Sequence, residues 1–472
     1  MSEHHQELFP SALPQGIKKG LFIVTAAAVF SMLLYIALPY SPSVSKGLSL
    51  LLFIAVLWFT EAVHITITAL LIPVVAIAIG ISATDAKTGE DAILSINETL
   101  STFADPIIFL FFGGFAMATA LRVQKLDRKI AMWLISLSGS HLGVATIAIC
   151  SVTALLSMWI SNTATAAMML PLAMGMLAHL DQEKDRNTFV FILLGIAYSA
   201  SIGGLGTLVG SPPNAIAAAA LDMHFTDWMK IGLPMMLVIL PLMLFVLFVA
   251  LRPHLNRKIH LETEEIPWDL SRVLTMILFL CVAFMWIFGK QLTTLVGFKV
   301  SDTWVALLAS VLVVMFGLAS WRQLTEGTDW GVLLLFGGGL TLSGILKDSG
   351  ASLVLGQEVA RIFGSAPHIV IIAVVAFFII TLTEFTSNTA SAALLVPVFA
   401  TIAGEIGLPK EVLVIIIGIG ASLAFMLPVA TPPNALVFGT GLIRQEEMMR
   451  AGLLLNGSCM VLLTIYAYFF LM

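Results

Sequence analysis

Charge is scarce in this sequence. Asp, Glu, Lys and Arg together make up only 11% of its 472 residues, and 59% are hydrophobic; a soluble domain carries about 25% charged residues. Cysteine is scarcer still. Cys150, Cys281 and Cys459 lie far apart inside apolar runs, which excludes a disulfide framework and a cysteine metal site and leaves all three to be read as buried small apolar residues. No loop is long enough to form an appended soluble domain. The first residues, with Glu3, His4, His5 and Glu7, do not resemble a signal peptide, and the run from Leu21 to Leu38 is long for an h-region and fits a retained first helix. Paired His/Asp metal motifs and Ser–Lys or Ser–His dyads are missing from the apolar runs, which argues against a membrane-embedded enzyme. The few charges within the runs argue against a continuous polar pore, and no nucleic-acid partner is expected.

What remains is apolar sequence in runs of about 20 residues, the length that carries a helix across a bilayer. The fold class is therefore an all-α polytopic membrane protein. Residues 1–16 form a polar N-terminal segment, 17–251 a first half, 252–272 a polar connector with Arg257, Lys258, Glu262, Glu264 and Glu265, and 273–472 a second half. The stretch from Leu48 to Ile81 is too long for one span and is split at 60–64. Residues 83–104 read as a polar loop. Asp105-Pro106 then opens a span, with Asp as cap and Pro at the first helical position. Lys347, Asp348 and Arg361 are assigned to a loop.

Landmarks recur at a nearly constant offset. Asp105 and Asp329 are 224 residues apart, as are Gly113 and Gly337; Ser161 and Ser387 are 226 apart, and Pro212 and Pro432 are 220 apart. Duplicated halves are a signature of many secondary transporters. With the N-terminus inside, and each suspected hairpin (142–180 and 368–406) returning to its own side, 15 of the 23 basic residues fall inside, as the positive-inside rule prefers. The repeat is then inverted, with about eleven transmembrane helices plus two re-entrant hairpins.

Two polar triplets sit within these hairpins, Ser161-Asn162-Thr163 and Ser387-Asn388-Thr389, each followed by an Ala-rich run and by Pro171 or Pro397. Ser and Asn are favoured N-caps. Each triplet can start the returning leg of a hairpin and leave N–H groups and a helix dipole aimed at an anion. One such triplet is most simply a polar helix contact within a bundle; two at matched positions favour a binding role. Ser211-Pro212-Pro213-Asn214 and Thr431-Pro432-Pro433-Asn434 break two further apolar stretches, where a cap followed by two prolines exceeds what a plain kink needs. Non-helical backbone at membrane depth belongs in a protein-lined cavity, and its carbonyls can serve Na⁺. No Arg or Lys falls in either hairpin core or either broken stretch. A polyanion there depends on dipoles, hydroxyls, amides and co-bound cations.

Other polar positions carry less. Glu384, three residues before Ser387 where the first half has Met158, is either a functional carboxylate or a group facing the wet mouth of the outer hairpin. Glu61 and His64 fit an interfacial helix break, the Gly113-Gly114 and Gly337-Gly338-Gly339 runs fit close packing, and the tryptophans fit interface anchoring.

The paired Ser-Asn-Thr triplets, each followed by a Pro-Pro-Asn break, resemble the divalent anion:sodium symporter (DASS) family, from about Leu48 to the end of the chain. The resemblance implies an elevator-type transporter, a homodimer in contact with membrane lipids, and Na⁺ as a co-transported ion with no organic cofactor. It implies substrate contacts from Asn162, Thr163, Ser211, Ser387, Asn388, Thr389, Thr431 and Pro432. It implies one Na⁺ near Ser157, Ser161, Asn162 and Gly210, and a second near Thr383, Thr386, Asn388 and Ala430. The function expected is Na⁺-coupled import of C4-dicarboxylates such as succinate, malate and fumarate across a bacterial inner membrane, with the N-terminus cytoplasmic. A dicarboxylate or tricarboxylate exchanger, or a sulfate transporter of the same family, is the alternative.

Overall fold

The computed structural model describes residues 15–84, 91–137, 139–178, 180–258, 266–363 and 366–472. Most of the N-terminal polar segment and the connector residues Glu262, Glu264 and Glu265 lie outside that set. The described chain is helical apart from one small hairpin, β1 (Ser82–Thr84) paired antiparallel with β2 (Asp91–Ile93).

The first helices are α1 (Gln15–Ala37), α2 (Pro42–Thr60) and α3 (Ile65–Ala78). The break between α2 and α3 falls where the sequence placed it, with Glu61 in a left-handed conformation and His64 capping α3 through Nδ1. After β1 and β2 the polar loop folds into α4 (Ile96–Ser101), closed by a Ser95/Glu98 capping box, and a 3₁₀ turn over Thr102–Ala104. Asp105 then caps α5 (Pro106–Val123), its carboxylate accepting from Ile107 N at 2.9 Å. Next come α6 (Leu126–Ser136), α7 (Leu142–Ser157), α8 (Asn162–Leu177), α9 (Arg186–Gly203), α10 (Pro212–Ala220) and α11 (Phe225–Leu251).

The second half repeats that order. It begins with α12 (Leu270–Val296), α13 (Asp302–Met315) and α14 (Trp321–Gly327). It continues with α15 (Trp330–Asp348), α16 (Ala351–Phe363), α17 (His368–Leu382), α18 (Asn388–Glu405), α19 (Lys410–Gly420), α20 (Pro432–Phe438) and α21 (Gln445–Tyr466). The short helices α4 and α14 and the longer α6 and α16 were not foreseen. Both α6 and α16 are amphipathic, and α16 occupies the residues around Arg361 assigned to a loop. Their one-sided polarity suits helices lying at an interface.

Among the described residues, eight helices are long and apolar enough to cross a membrane. The hairpin legs α7 and α8 have 16 residues each. At 1.5 Å per residue that is about 24 Å, short of the ~30 Å hydrocarbon thickness.

The glycine pairs are close-packing points. A Cβ on Gly113 would lie 2.5 Å from that of Ala306 on α13, and one on Gly338 would lie 2.6 Å from that of Ala69 on α3. The two halves therefore share one device, α5 seated on α13 and α15 on α3. The core lies around α9, which is buried from Thr188 to Gly203. It packs on α7, α8 and α11, and α19 packs on α17 and α18. The halves also interlock, with α10 against α18 and α20 against α8.

Two residue classes depart from the sequence reading. Cys150 and Cys459 are buried, but Cys281 is exposed on α12, because its helix shows most of its surface to the surroundings. Trp58, Trp228 and Trp286 are core residues rather than interface anchors. Each indole N–H is satisfied by a backbone carbonyl, of Ile65, Leu205 and Asp302 respectively, which is what permits burial.

Candidate functional site

The two triplets meet at one cavity of about 540 Å³, within the range of small-molecule sites. Ser161, Asn162 and Thr163 line it from one hairpin, and Thr386, Ser387, Asn388 and Thr389 from the other. Gly210, Ser211 and Pro212 reach it from the first break, and Ala430, Thr431 and Pro432 from the second. Phe111, Gly114, Phe115 and Ala118 of α5 and Val332 of α15 form an apolar wall, and Glu61 and Asp329 also line the cavity. No Lys or Arg does.

Helix starts aim at this space for local reasons. Ser161 Oγ accepts from Ala164 N at 3.3 Å, capping α8, and Ser387 Oγ accepts from Ala390 N at 3.4 Å, capping α18. Thr431 Oγ1 accepts from Asn434 N at 3.4 Å. Ser211 instead places its hydroxyl 3.1 Å from that of Ser422, a link between the halves. Proline at the first position of α10 and α20 stops the helix from extending backward. The opening N–H groups of each helix have no intrahelical acceptor, and with the dipole they make the cavity wall electropositive without a basic side chain.

Beneath the cavity lie two matched clusters of oxygen. In the first half, Ser157 Oγ is 2.7 Å from Asn162 Oδ1 and 2.6 Å from the Ala200 carbonyl. In the second, Thr383 Oγ1 is 2.6 Å from Asn388 Oδ1 and 2.7 Å from the Ala421 carbonyl. The Asn162 amide turns its oxygen toward other oxygens. Reversed, its nitrogen would donate to Ala200 O at 3.1 Å, Ser157 Oγ at 2.7 Å and Gly210 O at 3.3 Å. Hydrogen-bond counting favours the reversed amide. The inward oxygen is equally well satisfied by a hard cation shared with Ser157 Oγ, Ala200 O and Gly210 O, and in the second half Asn388 Oδ1 faces the Thr383 hydroxyl. The donor sets, a hydroxyl and an amide oxygen with the carbonyls of Ala200 and Gly210 in the first half and of Ala421 in the second, fit Na⁺.

Not every residue named from the family likeness touches a cluster through its side chain. The Ser161 hydroxyl caps α8, and the Thr386 hydroxyl bonds to Leu382 O at 2.9 Å and Ser391 Oγ at 2.7 Å. The carbonyls of Ala200 and Ala421 were not read from the sequence, and neither was Gly204, where an added Cβ would stand 2.6 Å from Asn162 Oδ1 and 3.0 Å from Gly210 O.

The loops that follow Ala200 and Ala421 are held by two equivalent asparagines. Asn214 Nδ2 donates to the carbonyls of Gly204 and Thr207, both at 2.7 Å. Asn434 Nδ2 donates to those of Ala424 and Leu427, both at 3.1 Å.

The hairpin tips differ in their surroundings. Trp159 stacks on Trp286 of α12 with ring centres 6.5 Å apart and planes at 7°, and it also touches Phe225 and Phe279. Its counterpart Phe385 is 71% exposed. One tip is docked on an aromatic slot while the other stands free.

The profile of the sodium:sulfate symporter transmembrane region matches residues 19–472. An uncharacterized transporter of Haemophilus influenzae is 52% identical over 461 residues, covering 96% of this chain and 97% of its own. An uncharacterized transporter of Methanocaldococcus jannaschii is 35% identical, with 96% and 98% covered. The sodium-dependent dicarboxylate transporter SdcS of Staphylococcus saprophyticus is 31% identical, with 95% and 90% covered. Among solved structures, the fold is similar to the YdaH transporter of Alcanivorax borkumensis, with a TM-score of 0.56 at 15% identity, covering 86% of this chain and 99% of that one. Matched over nearly its whole length, the chain is an integral membrane transporter that belongs to the sodium:sulfate symporter family, the divalent anion:sodium symporters.

Proposed function

We propose that the protein couples Na⁺ entry to import of C4-dicarboxylates such as succinate, malate and fumarate. The observation that carries this reading is the pair of all-oxygen clusters directly beneath an anion-sized cavity that contains no basic side chain. A dianion leaving water for such a cavity needs compensating charge. Helix N-termini supply part of it, and a cation in each cluster supplies the rest. Na⁺ bound first draws Asn162 and Asn388 onto the clusters and orders the hairpin tips. The substrate carboxylates then accept hydrogen bonds from the amides and hydroxyls of the two triplets and from Ser211 and Thr431. Such charge-assisted bonds contribute about 1.5–3 kcal/mol each.

The same proposal includes eleven spans with two re-entrant hairpins in an inverted repeat, an elevator movement of the loaded domain, a homodimer, and a bacterial inner membrane with the N-terminus inside. Family membership and the matched order of elements in the two halves support it. Glu61, Asp329, Phe385 and Trp159 all line the cavity.

The test is uptake of labelled succinate into proteoliposomes, with and without an inward Na⁺ gradient. Gradient-dependent uptake that fumarate competes for is the expected result. Uptake that ignores Na⁺ and is driven by internal dicarboxylate would replace symport by exchange, and competition by sulfate in place of fumarate would replace the substrate.

A further inference from the structure

Glu384 is the most heavily engaged side chain near the site, and its role is not explained by anion binding. It is 2% exposed. Its Oε1 accepts from Phe425 N at 2.7 Å, Met426 N at 2.9 Å and Asn456 Nδ2 at 2.6 Å, and its Oε2 accepts from Leu427 N at 3.0 Å. Four hydrogen-bond donors converge on its two oxygens, an arrangement that favours the ionised form against the cost of burial. Among the described residues it forms no salt bridge. The chain neighbour Thr383 supplies a hydroxyl to the second oxygen cluster, and the loop held by the carboxylate runs on to Ala430 and Thr431 at the cavity.

The first half does this differently. Its equivalent residue is Met158, whose backbone carbonyl accepts from Thr207 Oγ1, and Leu427 stands where Thr207 would be. A neutral hydroxyl-to-carbonyl bond ties hairpin to loop in one half, and a carboxylate on three backbone amides ties them in the other. The clusters match in ligand chemistry but differ by one fixed negative charge.

We infer that Glu384 is a positioning residue that holds the 425–427 loop in register and makes the second oxygen cluster the tighter of two unequal cation sites. This rests on the Na⁺-coupled reading above. A negative charge on the residue next to the Thr383 ligand favours cation occupancy, and buried charges are weakly screened. The second cluster therefore fills first, and the first cluster sets the Na⁺ concentration at which the anion binds.

The experiment is Na⁺ titration of the purified full-length protein in detergent, followed by the Na⁺-dependent rise in its thermal unfolding temperature, with choline as control. Ser157→Ala isolates the second cluster and Thr383→Ala isolates the first. Adding Glu384→Gln is expected to weaken Na⁺ binding at least tenfold in the Ser157→Ala background and by less than twofold in the Thr383→Ala background. Equal weakening in both, or none in the first, overturns the inference while leaving Na⁺ coupling intact. No Na⁺-dependent shift in the unsubstituted protein overturns the coupled reading itself. Should Glu384→Gln fail to fold, Glu384→Met with Leu427→Thr transplants the neutral anchor of the first half. This double variant is expected to fold and to bind Na⁺ at the second cluster no more tightly than the first cluster does. Unchanged affinity in it, or failure of both variants to fold, reduces Glu384 to a structural residue and ends the inference.

Discussion

Gly204→Ala places a single methyl group against the first oxygen cluster. The added Cβ would stand 2.6 Å from Asn162 Oδ1 and 3.0 Å from the Gly210 carbonyl, both inside van der Waals contact. Gly204 already packs against Gly210, whose own Cβ would lie 2.5 Å from Gly204 O, so relief comes by pushing the Asn162 amide outward. Losing one oxygen contact to a charged group costs about 1.5–3 kcal/mol, which is roughly a 10- to 150-fold loss of Na⁺ affinity. Overpacking adds about 1–3 kcal/mol to the folding cost, so the assay must separate the two. The Na⁺ concentration giving half-maximal thermal stabilisation does so, because it is read only from folded protein. Gly203→Ala is the contrast. Its Cβ would strike the Ala154 backbone at 2.3 Å, so the damage falls on α7–α9 packing and the protein is expected to lose fold rather than Na⁺ affinity. Gly175→Ala, with nothing within 4 Å, should be silent. A folded Gly204→Ala protein with unchanged Na⁺ dependence would refute the placement of a cation among Ser157, Asn162, Ala200 and Gly210.

Further outcomes follow from the same geometry. Asn162→Ala and Asn388→Ala should each abolish succinate uptake in proteoliposomes, since each amide serves a cluster and the cavity; full activity in either removes the paired-site reading. Trp159→Ala should lower the unfolding temperature, because each aromatic pair lost contributes about 0.5–1.5 kcal/mol and three ring contacts converge there. Phe385→Ala should leave it nearly unchanged, and the reverse order would mean that the other tip is the docked one. Arg186 makes a two-pronged contact with Glu447 at 2.8 and 3.0 Å between partly exposed side chains, so Arg186→Ala should cost ~1 kcal/mol or less. Arg186→Lys should not fully restore it in chemical denaturation, lacking the planar fork.

Much of this was legible in the sequence because it is written in side chains that apolar surroundings make conspicuous. Ser161-Asn162-Thr163, Ser387-Asn388-Thr389 and the two Pro-Pro-Asn segments announced helix starts, and the break at 61–64 fell where Glu61 and His64 interrupt an apolar run. Three things were not legible. The carbonyls of Ala200 and Ala421 have no side-chain signal, since any residue supplies a carbonyl and its aim is set by where α9 and α19 end. The helices α6 and α16 hide because their charged faces resemble loops when only apolar run length is counted. Glu384 gave no hint of burial, since its three amide donors lie about 40 positions later in the chain and its fourth, Asn456, sits on α21. The tryptophans misled for a related reason: Trp58 and Trp286 find carbonyl partners on the next helix, a match no local pattern records.

The equivalent asparagines, Asn214 and Asn434, make the same contacts in the two halves. Each fastens the carbonyls seven and ten positions behind it, so the curve of the intervening chain is clamped from outside by one amide group. The clamped stretches, Gly-Leu-Gly-Thr-Leu-Val-Gly in one half and Ala-Phe-Met-Leu-Pro-Val-Ala in the other, share only a valine at matching places, yet both deliver a carbonyl-bearing bend to the same depth. Two different sequences thus reach one shape, the first through glycines that leave no room for a Cβ at Gly204, Gly206 and Gly210 and the second through Pro428, with the asparagine clamp the part both copies keep.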